Sequence, residues 1–262
     1  MVAAAKLRRA QEAAVSGRPY SDRFDSVMSG LTASMGVDSG PPLLIGTGAD
    51  TNHLLIVMTA ERGLCGGFNS NIAKLAKLKA SKLISEGKSV KILTVGKKGR
   101  DSLKREFGKY FVGHVDLTEM KGASYSYAVE VASNILNRFD SSEFDVATIY
   151  YSRFESVMSQ IPTEKQLIPP VFQASTESTA YDYEPSEEEI LIDLLPQSIT
   201  AQIFRALLEN GASEQGARMS AMDSATRNAG EMIDKLIIQY NRSRQAVITN
   251  ELIEIISGAE AL

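Results

Sequence analysis

The sequence predicts an α/β protein in which long N- and C-terminal helices form an antiparallel coiled coil, with a small Rossmann-like α/β domain between them. Apolar residues recur at alternating three- and four-residue steps through residues 3–35 and again through residues 219–247. Strand and helix patterns alternate over residues 52–170. Residues 197–257 lack proline, and one helix over them would be about 90 Å long. A compact chain of this size is only about 45–50 Å across, so we expect that helix to project from it.

The first segment, residues 1–35, is predicted to be one helix bent at proline. Pro19 removes a helical hydrogen bond, which places a kink near Arg18 or Pro19. The alternative is two short amphipathic helices that are separated at residues 17–19. The heptad register continues across Pro19 and favours the single bent helix.

The second segment is predicted to contain a mostly parallel sheet with helices on both faces, because short apolar strands are separated by helix-length stretches. Helical patterns follow the first strand, cover residues 97–107 and begin again near residue 124. Linkers rich in glycine, proline or polar residues flank the segment. The predicted strands are residues 53–59, 90–95, 110–115 and 144–151. The predicted linkers are residues 36–48 and 175–185.

The third segment is predicted to be the long helix. Ser186 and Glu189 have the spacing of a capping box, and Pro196 should bend the helix. Asn210–Gly211 is a turn signal, and Ser213 could cap a new helix after it. Local sequence therefore leaves one helix or two open.

The two terminal helices have similar apolar seams and can pair in an antiparallel manner. Their lengths differ, so the distal part of the C-terminal helix has no partner within the chain unless it folds back onto the sheet. A wide apolar stripe near its end needs burial. The stripe comprises Ile248, Leu252, Ile253, Ile255 and Ile256. The predicted division is 1–48 for the N-terminal helix and linker, 49–175 for the α/β domain and 176–262 for the C-terminal helix.

Composition narrows the possible functions. The formal net charge of −4 and pI near 5.4 give no case for binding nucleic acid or an anionic membrane surface. No apolar run reaches the 18 or so residues of a membrane span, and the N-terminus lacks the apolar core of a signal peptide. The single cysteine excludes an internal disulfide.

Residues 61–68 (ERGLCGGF) follow the first predicted strand and resemble a nucleotide-binding turn only superficially. Cys65 occupies the second-glycine position of the dinucleotide fingerprint, and the Gly-Lys-Ser/Thr ending of a phosphate loop is missing. A structural turn fits better, with glycines that allow strand and helix to pack closely. No local motif ties His53 or His114 to Cys65 as a catalytic base, and these three residues lack metal-ligand spacing. Lys97, Lys98 and Arg100 are interpreted as a solvated helix face.

Three stretches closely resemble the gamma subunit of F-type ATP synthases. They are MVAAAKLRRAQEAA with RPY behind it, MTAERGLCGGFNSNI, and the C-terminal run from ARMSAMDSATRNAGEM to ITNELIEIISGAEAL. The resemblance implies a central-stalk rotor with no cofactor and no catalytic site of its own. It also implies a coiled coil inside the alpha3beta3 hexamer of the CF(1) part and a foot domain against the epsilon subunit and the c-ring. Proton flow would turn this shaft and drive ATP synthesis at the beta subunits.

The resemblance also assigns residues. Arg244 and Gln245 occupy positions that contact a beta-subunit loop in the family, and Arg218, Thr249 and Glu251 are further polar positions of the same helix. Ile248, Leu252 and Ile256 would lie in the apolar sleeve at the top of the hexamer, where non-directional contacts suit rotation. The foot-domain turn, which would pack internally or contact epsilon or the c-ring, comprises Gly63, Gly66, Gly67 and Phe68. The implied location is peripheral, on the cytoplasmic face of the bacterial inner membrane or, less favoured, the mitochondrial matrix side.

One departure from the family concerns the N-terminus. Family members carry about two dozen further residues before the MVAA segment, which predicts either an upstream start or a truncated form. Because Cys65 is the only cysteine, the regulatory insertion of chloroplast members is expected to be absent. Two competing hypotheses are an enzyme that uses the glycine turn and a scaffold that dimerises through its C-terminal helix.

Overall fold

The structure is a computed structural model that describes residues 2–35, 40–118, 124–171 and 187–260. These residues fall into two units, Met1–Ser220 and Ala221–Leu262. The predicted linker at 175–185 and the Ser186 cap lie outside the described residues, as does part of the 36–48 linker. The division at residues 48 and 175 stays a prediction.

The predicted helix and strand elements are present, with small shifts at their ends. The helices are α1 (Val2–Met35), α2 (Pro42–Ile45), α3 (Phe68–Ser85), α4 (Lys97–Phe107), α5 (Tyr125–Asp140) and α6 (Glu187–Glu260). The strands are β1 (Asn52–Met58), β2 (Ser89–Val95), β3 (Phe111–Val115), β4 (Val146–Phe154) and β5 (Gln160–Ile168). A short 3₁₀ turn, Gly108–Tyr110, joins α4 to β3.

The sheet has the order β3-β2-β1-β4-β5. Strands β3, β2, β1 and β4 are parallel, as predicted, and β5 runs antiparallel to β4 at the edge. The fifth strand was not predicted. Its sequence, QIPTEKQLI, contains Pro162 and four polar residues after it, which argues against a central strand but is compatible with an edge.

Helices cover both faces of the sheet, and the side chains of strand β1 point alternately to one face and the other. Leu54 and Ile56 point into a core that is shared with α5 and with the first half of α6. Leu55 and Val57 point into a second core that is shared with α3 and α4. The near-continuous apolar sequence of β1 is therefore the result of burial on both sides.

The terminal helices pack against each other in antiparallel order, which confirms the predicted pairing for the described part. Near the start of α1, Leu7 and Ala14 share a cluster with Leu208 and Ala212 of α6. Near the end of α1, a second cluster joins it to the start of α6. That cluster comprises Met28, Leu31, Leu44, Leu191 and Leu195. Helix α1 continues through Pro19 as one helix.

Helix α6 is a single element of 74 residues. It continues through both Pro196 and Asn210–Gly211, which settles the choice between one helix and two. The side chains of residues 225–259 are all exposed, whereas much of the segment 191–217 is buried.

Asp145 fixes the segment that leads into β1. Its carboxylate accepts hydrogen bonds from the hydroxyls of Thr47 and Thr51, at 2.7 and 2.9 Å, and from the Asn52 backbone N–H at 2.8 Å. Burial alone would raise the pKa of Asp145, but the bonds from Thr47, Asn52 and Thr51 outweigh it and hold the pKa well below its ordinary value. The charge of Asp145 therefore stabilises this junction.

Candidate functional site

Parallel sheets with this strand order bind ligands beyond the carboxyl ends of the strands, where the order reverses, here between β1 and β4. Helix α6 occupies that place. Ala217 packs there in the core that contains Cys65, Phe68 and Tyr150. The Arg218 guanidinium donates a hydrogen bond to the Gly63 carbonyl at 3.2 Å. The crevice is therefore filled by the chain's own helix.

The glycine-rich turn at this edge is held by internal contacts. The Asn69 side chain accepts a hydrogen bond from the Ala60 backbone N–H at 2.9 Å and donates to the Cys65 sulfur at 3.1 Å. Gly66 has a φ of 55° and Gly67 is the residue before α3, while Phe68 is buried. This geometry agrees with the prediction of a structural turn.

Cys65 lacks the surroundings of a nucleophile. Its side chain is 2% exposed, and burial, together with the nearby Glu214 carboxylate, raises the pKa of the thiol. His53 lies at the opposite, amino end of β1, and the His114 ring bonds the Thr94 hydroxyl at 2.9 Å. The sulfur is therefore kept as a neutral thiol in the core.

Arg218 has partners within the chain. Besides the Gly63 carbonyl, it pairs with Glu214 at 2.7 Å, one turn earlier on α6. Burial raises the pKa of Glu214, and Arg218 opposes that shift. The structure thus brings together Arg218 and the glycine turn, which the sequence had assigned to different surfaces. A contact of Arg218 with a partner subunit stays a prediction.

Strand β4 extends beyond the end of its pairing with β1, which stops at Val57 and Tyr150. Side chains of α6 satisfy the next peptide groups on that side. The Ser152 N–H donates to the Asn210 side-chain oxygen at 3.1 Å, and the Ser213 hydroxyl donates to the Ser152 carbonyl at 3.0 Å. Asn210 and Ser213 thus act where a neighbouring strand would.

Two residues farther along β4, the pattern continues with charged groups. The Phe154 N–H donates to Glu209 at 2.8 Å, and the Phe154 carbonyl accepts from Arg18 of α1 at 2.8 Å. Arg18 also binds both carboxylate oxygens of Glu209, at 2.7 and 3.1 Å. We call this set the strand-end junction. It comprises Arg18, Ser152, Phe154, Glu209, Asn210 and Ser213.

Sequence reasoning missed the strand-end junction. Asn210 and Ser213 did stand out, but as signals for a break and a new cap in the helix. Arg18 was noted only beside the proline kink. The signal that could have found them is the occurrence of polar residues among the apolar residues Leu207, Leu208 and Ala212 of the same stretch of α6, all of which are buried.

The distal residues predicted to contact partners are all exposed. Arg244, Gln245, Thr249 and Glu251 lie on the part of α6 beyond residue 220. The apolar positions Ile248, Leu252 and Ile256 are 48%, 53% and 57% exposed. The structure places these residues on one helix with free side chains, and their contacts stay a prediction.

A cavity of about 510 Å³ lies at the amino ends of the strands, away from the glycine turn. Its charged residues neutralise one another, since Lys79 pairs with Glu164 at 2.8 Å and Lys88 pairs with Asp50, whose carboxylate also lies 2.8 Å from His53 Nε2. Burial lowers the pKa of His53. Within the described residues no cluster of three metal-ligating side chains occurs. Among those same residues, no helix combines the length and apolar character that a bilayer crossing requires.

A protein-family model described as ATP synthase matches residues 1–262. The ATP synthase gamma chain of Dinoroseobacter shibae is 69% identical over 100% of this chain and 91% of its own length. The ATP synthase gamma chain of Ruegeria pomeroyi is 67% identical with the same coverage.

Solved structures give a likeness of fold. A chain of the Tetrahymena thermophila mitochondrial ATP synthase central stalk and c-ring is 22% identical with a TM-score of 0.62, over 86% of this chain and 100% of that one. A chain of the Euglena gracilis mitochondrial ATP synthase, in a structure of OSCP, F1 and c-ring, is 19% identical with a TM-score of 0.63 over 98% and 95%.

Proposed function

Because the chain belongs to the ATP synthase family and is 67–69% identical to bacterial gamma chains over its whole length, we propose that it is the central-stalk rotor subunit of an F-type ATP synthase. In this role it is part of an enzyme complex and couples rotation to ATP synthesis in the alpha3beta3 hexamer. Its partners are the alpha and beta subunits, the epsilon subunit and the c-ring. The complex would hold it at the cytoplasmic face of a bacterial inner membrane.

The observation that carries the proposal is helix α6. Its first part is buried among the sheet and α1, whereas residues 225–259 expose their side chains, including large apolar ones. Exposed apolar residues repeated along a helix indicate a surface that meets a partner. A helix that is fixed at one part and free for contact at another is suited to transmit rotation.

The contacts of the distal part follow from side-chain type. Arg244, Gln245, Thr249 and Glu251 can form directional hydrogen bonds with a beta subunit at particular angles of rotation. Ile248 and its apolar neighbours would meet the upper sleeve without fixing an angle, because hydrophobic contact is non-directional. The turn at Gly63 would serve mainly the internal packing of the foot domain.

We propose that the subunit has no catalytic site of its own. The crevice where sheets of this order hold ligands contains Ala217 and Arg218 of α6. The buried Cys65 thiol has a raised pKa, which disfavours the reactive thiolate. These features oppose the competing hypothesis of an enzyme at the glycine turn.

The proposal is tested by crosslinking from a single new thiol, Gln245→Cys, in the purified native complex. Cys65 is 2% exposed, so a maleimide photo-crosslinker should react with position 245 alone on this chain. Irradiation is expected to join the chain to an alpha or beta subunit and to stop ATP hydrolysis, because a fixed shaft cannot turn. The unirradiated complex and the irradiated wild type are the controls. Recovery of the chain only as a homodimer, without alpha and beta subunits, would overturn the proposal.

A further inference from the structure

The strand-end junction joins three elements through one carboxylate. Glu209 of α6 is 2% exposed and binds both the Phe154 backbone of β4 and the Arg18 guanidinium of α1. A buried carboxylate is costly unless charge and hydrogen bonds compensate it. Here Arg18 supplies the opposite charge and two hydrogen bonds, and the Phe154 N–H supplies a third hydrogen bond, so the burial of the Glu209 carboxylate is compensated.

The contact of α6 with α1 and β4 could have been formed by apolar side chains alone. The neighbours of Glu209 on α6, such as Leu208 and Ala212, pack well against α1 and β4. Apolar packing tolerates a small shift of the helix better than hydrogen bonding does, because hydrophobic contact itself has no preferred direction. Hydrogen bonds to backbone groups do have a preferred direction and weaken steeply when misaligned.

The bonds resist rotation of α6 about its axis. Glu209, Asn210 and Ser213 each reach a peptide group of the same strand, and those groups lie on the alternate residues Ser152 and Phe154. A rotation of α6 would lengthen these bonds together. Arg18 adds the same constraint from α1.

We infer that the strand-end junction is the contact through which torque passes between α6 and the sheet domain, with Glu209 as its central positioning residue. The inference rests on the proposed rotor function. It assigns to Arg18, Glu209, Asn210 and Ser213 a mechanical role beyond stabilising the fold. Weakening the junction should therefore reduce coupling most strongly when the rotor works against a load.

The test compares proton pumping with ATP hydrolysis in inside-out membrane vesicles that carry the intact complex. Glu209→Gln keeps an acceptor for the Phe154 N–H but removes the ion pair, and Ser213→Ala removes one hydrogen bond. The matched control is Asp22→Asn, because the Asp22–Arg205 pair also joins α1 to α6 but is exposed and does not involve β4.

We expect both junction variants to hydrolyse ATP at near wild-type rate but to pump fewer protons per ATP, by about twofold or more, since Glu209→Gln loses the ion pair with Arg18 and Ser213→Ala loses its hydrogen bond to Ser152. The deficit should grow as the opposing proton gradient rises, and Asp22→Asn should behave as wild type. Equal losses of pumping and hydrolysis, or a deficit that is independent of the gradient, would overturn the inference and leave the junction a purely structural role.

Failure of a variant to assemble and failure of the proposed function can each be distinguished from failure of this inference. If Glu209→Gln fails to assemble, Ser213→Ala and Arg18→Lys carry the test, because each leaves the carboxylate in place. If wild-type chain is found in no complex with alpha, beta and c subunits, the proposed function fails, which differs from a junction variant that assembles and stays fully coupled.

Discussion

Asp145 is the residue at which hydrogen bonding most clearly overcomes burial. It accepts bonds from three residues that lead into β1, and its pKa lies below the ordinary aspartate value. A depressed pKa means that the folded state holds the charged form more strongly than the unfolded chain does. The stabilisation is therefore complete above pH ~4 and is lost as the pH falls toward the folded-state pKa.

We predict that Asp145→Asn lowers the free energy of unfolding by about 2–3 kcal/mol at pH 7, because bonds to a charged acceptor are lost. The difference from wild type should shrink as the pH falls below about 4, because Asp145 takes up a proton in the unfolded wild-type chain while the folded protein still holds it charged. Urea unfolding of the purified chain across this range measures both effects. Asp101→Asn, an exposed position on α4, is the control and should change little. A deficit that stays constant with pH would contradict the prediction.

At the scale of elements, the pairing of α1 with the start of α6 depends on a compact apolar cluster. Leu195 is 1% exposed and packs with Met28 and Leu31 of α1. Ile192, one turn earlier on the same helix, is 54% exposed. The two positions are similar in side-chain size but differ in burial, so they form a natural comparison.

We predict that Leu195→Ala costs about 2–5 kcal/mol of stability, the usual range for a cavity in a packed core. Ile192→Ala should change stability by no more than about 0.5 kcal/mol, because an exposed side chain loses little contact and alanine favours helix. Chemical unfolding followed by circular dichroism distinguishes them. Similar losses for both variants would mean that α1 does not pack on this face of α6.

The elements also show what sequence can and cannot predict. The terminal helices, the four parallel strands and the glycine turn follow from apolar periodicity and local residue type, which the sequence displays directly. Strand β5 was missed because Pro162 and its polar neighbours lack the apolar pattern of a strand. Only the pairing with β4 makes them an edge strand. The continuity of α6 through Asn210–Gly211 was undecided for the same kind of reason, since tertiary bonds to Ser152 override the local turn signal.

The residues of the candidate site likewise divide into those that a local sequence pattern indicates and those that only the fold brings together. The apolar stripe around Ile248 is a local pattern that the sequence displays directly, whereas Gln245 was assigned only through the resemblance to the family, and the contacts of both stay a prediction. The strand-end junction was not, because it joins residues as far apart in sequence as Arg18 and Glu209. Its members acquire their role only once β4 extends beyond β1.

On the scale of the whole molecule, the chain combines a well-packed unit, Met1–Ser220, with a helical unit that exposes its apolar side chains. Exposed apolar stripes favour self-association when their partner is missing. The isolated chain should therefore bind hydrophobic dyes and associate in solution. Its packed unit should not depend on the stripe, because Ile248, Leu252 and Ile256 are not part of any described core cluster.

We predict that replacing Ile248, Leu252 and Ile256 together by serine reduces dye binding and self-association of the purified chain, while the unfolding midpoint of the Met1–Ser220 unit stays unchanged. Fluorescence of a bound dye and size-exclusion chromatography measure the first two, and thermal unfolding measures the third. The matched control replaces three exposed polar residues of the same segment by serine, so that helix propensity is lowered without removing apolar surface. Those residues are Lys235, Gln239 and Glu254. Association that persists in the apolar variant, or is lost equally in the control, would show that another surface drives it.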